Sequence, residues 1–142
     1  MMLFAWGLNA LALAFGAYLG ARGLLDPNWA AKLVRLKEDE QGGGFAEFRA
    51  TYGGVFLGLH LAALYLTYGY LRGGALLSGV MASGATFALA VGWAGAALGR
   101  GVSIWRDPGA NTKFNRLSVA VEAAMAILIG APWAFWFFSG RL

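Results

Sequence analysis

The chain has no cysteine, which removes disulfides, thiolate metal sites, iron–sulfur clusters and cysteine nucleophiles. It has one histidine, and a single imidazole without a second one or a thiolate does not make a zinc or bis-histidine haem site. Charged side chains are scarce, at 13% of 142 residues, against about 25% in ordinary globular chains. That is too little polar surface to cover a soluble domain, and too little charge for a disordered one. No nucleophile beside a base, phosphate-binding loop or dinucleotide fingerprint stands in the sequence. The expectation is therefore no enzyme, no catalytic residue, no metal and no cofactor.

What is abundant is apolar: 59% of residues are hydrophobic and mean hydropathy is +0.60. Four apolar runs fill most of the chain, at 3–25, 48–71, 75–98 and 117–138. Each is long enough to cross a hydrocarbon core of ~30 Å at ~1.5 Å per residue, and in lipid a segment of that length satisfies its backbone as a helix. The fold class read from this is an all-α membrane protein, a four-helix transmembrane bundle forming a single domain over 1–142. The first run lacks a preceding Lys or Arg and exceeds the ~7–15 residues of a signal-peptide core, so it reads as a mature helix.

The charge balance of +4 encodes orientation and not a nucleic-acid partner. Arg22, Lys32, Arg35, Lys37 and Arg49 lie in the first connection or its margins, and Arg100, Arg106, Lys113 and Arg116 in the third. Arg72 and Arg141 alone remain for the opposite side. Since cytoplasmic connections retain Lys and Arg, both termini are expected outside. Phe4, Trp6, Tyr68, Tyr70, Trp133, Trp136 and Phe138 then form the outer aromatic belt.

In the first connection, Asp26-Pro27 reads as N-cap and first turn of a short interfacial helix, with Trp29, Leu33 and Leu36 on its apolar face. Glu38, Asp39, Glu40 and the glycines 42 to 44 follow, and the glycines are expected to end any helix before the second span.

Small residues let helices approach closely in lipid. Helix packing is assigned to Gly16 and Gly20 in the first span, Gly54 and Gly58 in the second, and Gly84, Gly92, Gly95 and Gly99 with Ala88 and Ala96 in the third. The third helix carries enough small surface for a homo-oligomer or a partner helix. Pro132 is expected to bend the fourth span near Leu128.

Ionisable groups within spans are costly and mark sites. Glu122 lies ~7–8 Å inside the fourth span, His60 near the middle of the second, and Arg49 at its cytoplasmic start. Arg49 and His60, near three helical turns apart, are expected on one polar stripe with Tyr52 and continuing to Thr67; Asn9, Gly16 and Gly20 share a face of the first helix. Matching depth and opposite charge pair Arg49 with Glu122, with Tyr52 and Arg100 completing the hydrogen bonds.

The run Glu47-Phe48-Arg49-Ala50-Thr51-Tyr52-Gly53-Gly54, continued by Gly58, resembles the signature of a bacterial group of small four-helix membrane proteins, the domain of unknown function 4345 family. Asp26-Pro27, Gly99-Arg100, Ser103 and Asp107 match further positions, and Pro108 stands where the family often has Gly. The resemblance covers nearly the whole chain. It implies a multi-pass protein of the bacterial inner membrane and no activity. The matched residues suggest one polar cluster or ligand pocket at the cytoplasmic mouth, from Glu47, Arg49, Tyr52, Arg100, Ser103, Asp107 and Glu122, with His60 deeper.

The function expected is an accessory or interaction subunit that packs against another membrane protein or binds lipid or a lipid-like molecule. Membership of a respiratory or photosynthetic complex is one form of this. The competing class is a small proton- or solute-conducting transporter using Arg49, His60 and Glu122.

Overall fold

The computed structural model describes residues 2–35, 44–74 and 76–138. Among them every regular element is a helix. Helix α1 is Met2–Leu25, α2 Pro27–Val34, α3 Gly44–Leu71, α4 Leu76–Arg106 and α5 Lys113–Phe138. The four long helices are each long and apolar enough to cross a membrane. The chain divides into two compact units, Met1–Ala12 with Leu66–Leu142, and Leu13–Tyr65.

Helix α2 starts where its sequence starts it. Asp26 Oδ1 accepts from the Trp29 amide at 3.0 Å, Pro27 takes the first turn, and Arg35 closes the helix with φ 59°, its amide returning to the Ala31 carbonyl. Ala30 and Ala31 pack with Phe48 and Pro27 is also buried, a face other than the Trp29, Leu33 and Leu36 face expected to meet the leaflet. Leu33 is exposed, Trp29 only joins the margin of that cluster, and Leu36 lies outside the described residues. The acidic trio and glycines 42 and 43 also lie outside the described residues.

Three helix ends differ from the hydropathy windows. Helix α3 begins at Gly44, α4 runs on to Arg106, and α5 begins at Lys113. Hydropathy stops at the first charges, whereas a backbone ladder stops only where something breaks it. For α4 the breaker is Asp107-Pro108-Gly109, where Ala110 N bonds Asp107 O at 3.1 Å and Gly109 has φ +80°. Pro at the second and a positive-φ Gly at the third position is the pattern of a type II turn, so Pro108 suits its place. Helix α5 restarts on Thr112, whose hydroxyl accepts from Asn115 N at 3.1 Å.

Within α3, Phe48–Val55 winds as a π-helix. Thr51 Oγ1 donates to the Glu47 carbonyl at 2.6 Å, and Gly53-Gly54 follow, so a back-bonding hydroxyl and two weak helix formers coincide where the turn widens. The run that carries the family resemblance is this segment.

Candidate functional site

The buried carboxylate of the first unit is Glu122, roughly two and a half turns into α5 at ~3.6 residues per turn. Arg100 of α4 grips it as a fork: Nε lies 3.1 Å from both carboxylate oxygens and Nη2 2.7 Å from Oε1. The carboxylate is 10% exposed and the guanidinium 34%. Bidentate geometry and low exposure make this a strong pair, and one that holds two spans together. Arg100, expected to complete the hydrogen bonds of this carboxylate, is its bonded partner within the unit, and Arg49 is exposed. At the end of α4, Ser103 Oγ donates to Asp107 Oδ2 at 2.5 Å and Asp107 N bonds Ser103 O at 2.9 Å, closing the last turn. Within this unit Arg100, Glu122, Ser103 and Asp107 form two local pairs; Glu47, Arg49, Tyr52 and His60 belong to the second unit.

In that unit the expected stripe is broken. His60 is fully buried, but Arg49 and Tyr52 are exposed, Tyr52 resting its ring on Phe48 at 5.6 Å. The wider turns of the π-helix between Arg49 and His60 spoil the 3.6-residue register that would have aligned them. His60 instead binds inside its own helix and against α1. Its Nδ1 sits 2.7 Å from the Phe56 carbonyl, its ring 4.4 Å from the Phe56 ring, and its far edge lies directly on Gly16, where a methyl group would overlap the imidazole.

Gly16 begins a row. A Cβ at Gly20 would lie 2.5 Å from the Leu57 amide nitrogen, one at Gly23 2.6 Å from the Tyr52 carbonyl oxygen, and one at Gly53 2.7 Å from the Leu24 Cα. Helices α1 and α3 therefore cross backbone to backbone, each glycine being required by close approach. Gly23 escaped the sequence reading because it has no small partner four residues away in its own helix, its i, i+7 spacing from Gly16 being the available signal; Gly53 was marked in the Glu47–Gly54 run but not as a contact with α1.

No family model, curated protein or solved structure matches this chain.

A buried polar node fixes the first unit. Asn9 Nδ2 donates to the Ile129 carbonyl at 2.7 Å, and its Oδ1 accepts from Thr67 Oγ1 at 3.2 Å; Asn9, Thr67 and Ile129 are all fully buried. The carbonyl that Pro132 leaves without its ladder donor is that of Leu128, one residue before Ile129, so the Asn9 bond is an additional tie from α1 to α5. Sequence alone marked Asn9 and Thr67, but gave no hint that the Ile129 main-chain oxygen joins them. Thr86, buried in α4, is likewise satisfied by Ser83 O at 3.0 Å.

The remaining assigned glycines behave differently. At Gly58, Gly84, Gly92, Gly95 and Gly99 an added Cβ would meet open space, and at Gly54 only its own helix. They serve no close approach among the described residues. Nor do three His, Asp or Glu side chains converge as metal ligands among those residues.

Proposed function

We propose that this protein is a small multi-pass protein of the bacterial inner membrane, of the four-helix kind its motifs resemble, working as a non-enzymatic interaction subunit whose docking helix is α4. One observation carries the reading. Helix α4 is the longest and least covered of the apolar helices, with 11% of its most apolar stretch buried within the chain against 39% for α1. Its uncovered side presents Gly84, Ala88, Gly92, Gly95 and Gly99, a surface that gains little from lipid but admits a neighbouring helix backbone. Among the described residues every buried side-chain nitrogen and oxygen has a hydrogen-bond partner. That supports a structural role for His60, Asn9 and Glu122 over a proton or solute path.

Replacing Gly92 and Gly95 with Leu tests the reading. Because no atom lies within 4 Å of either added Cβ, the chain should fold and stay as stable as before. A membrane-protein partner that co-purifies with the parent in mild detergent should be lost at least tenfold from the variant. Equal recovery of partner in both would refute docking through α4.

In this reading both termini face outside, and α2 lies on the inner leaflet with Arg22 stacked 5.1 Å over Trp29. A reporter active only in the cytoplasm, fused after Leu142, should be silent. The same reporter inserted at Gly109, in the turn between α4 and α5, should be active, and the reverse pattern would invert the topology.

A further inference from the structure

The first unit holds a two-part cavity that neither the packing nor the polar node uses. A half-open pocket of 390 Å³ is walled by Trp6, Tyr70, Phe87, Trp133 and Trp136, with Ser83 among its lining. Beside it runs an open groove of 730 Å³ between α4 and α5. Its lining includes Ala90, Ala94, Ala126, Gly130, Ala131 and Ala134. Phe87 and Trp133 line both, their rings 4.8 Å apart, so the two spaces meet across one aromatic sill. Both volumes fall within the ~300–1,000 Å³ of small-molecule sites.

The chemistry of the lining narrows the occupant. No charged side chain lines either space. A phosphate or carboxylate head would be left without a counter-charge, which is costly away from water. The pocket instead offers flat aromatic faces for stacking, with the hydroxyl-bearing Tyr70 and Ser83 as hydrogen-bonding residues. The groove extends along α5 from 126 to 138, ~18 Å at ~1.5 Å per residue, close to the ~15 Å of one hydrocarbon leaflet. Alanines and Gly130 form its floor between the larger Phe87, Val91, Ile127, Trp133, Phe135 and Phe138, and no polar atom is required of what lies in it.

We propose that this composite cavity binds a neutral planar ring carrying one long apolar tail, the chemistry of an isoprenoid quinone, with the ring in the aromatic pocket and the tail in the groove. The pocket sets ring affinity and the groove sets tail affinity, so the two are separable by mutation. The site requires no partner protein and its test is read without one, although Gly84 belongs both to the pocket lining and to the docking face of α4.

The full chain in nanodiscs of zwitterionic phospholipid is titrated with two benzoquinones, one with a single isoprene tail and one with a ten-carbon tail. Quenching of tryptophan fluorescence is the readout, since three tryptophans wall the pocket. Both probes should quench saturably, the longer binding about tenfold tighter. Val80 lines the pocket and is 60% exposed, so Val80→Phe should fill the pocket and weaken both probes at least tenfold. Ala94 lines the groove, so Ala94→Phe should remove the advantage of the long tail and leave the short probe unchanged. If Val80→Phe does not fold, Ser83→Ala replaces it and should weaken both probes several-fold. Linear quenching that no variant alters means partition into lipid and overturns the proposal, as does displacement of the quinone by added phosphatidylglycerol, which would assign the cavity to a phospholipid.

Discussion

Gly16→Ala should destabilise the protein by ~2–3 kcal/mol, while Gly58→Ala, one methyl group added to the partner helix, should be neutral or stabilising. In an ordinary helix both changes gain up to ~1 kcal/mol, because alanine surrenders less conformational freedom than glycine. At Gly58 that gain meets open space and survives. At Gly16 the new methyl overlaps the His60 imidazole. Overpacking of this kind costs ~1–3 kcal/mol, and the ring cannot turn aside without losing the Phe56 carbonyl, a bond of ~1 kcal/mol that burial makes hard to replace. Reversible unfolding in mixed micelles reads the difference. The clash is also specific: in a His60→Ala background, Gly16→Ala should lose most of its penalty, and an undiminished penalty would place the fault elsewhere.

The second large effect belongs to Arg100 and Glu122. Truncating one member of a buried pair strands the other, at ~3–5 kcal/mol; with the guanidinium a third exposed, ~2–4 kcal/mol is expected for either single change to Ala. The double variant should cost clearly less than the sum of the two. Arg100→Lys should restore only part of the loss, since an ammonium lacks the fork that meets both carboxylate oxygens. Arg49→Ala should stay within ~0.5 kcal/mol. A large penalty at Arg49 and a small one at Arg100 would contradict the pairing.

The two cases show what a sequence of this kind reveals. Four apolar helices were legible because lipid leaves a long apolar segment no other way to satisfy its backbone. Their ends were less so: Gly99 to Arg106 is helical, but its charges carry no hydropathy signal, and only the Pro108 turn ends it. His60 and Gly16 each stood out, yet their contact depends on the crossing of α1 and α3, which no spacing within one helix encodes. The Arg49–His60 stripe was read on a 3.6-residue register, which the π-helical stretch between them does not keep. Glycine spacing was ambiguous in the same way. The period that marks Gly16 and Gly20 also marks Gly95 and Gly99, and only the atoms around them tell an internal contact from an open face.

That open face is the centre of the account. A photo-crosslinking residue placed at Gly92, Gly95 and Gly99 in turn, in native membranes, should yield a discrete protein adduct from each position. The same residue at Leu59, exposed on α3, should yield only lipid adducts. Lipid adducts alone from all three α4 positions would contradict the assignment of α4 as the docking helix.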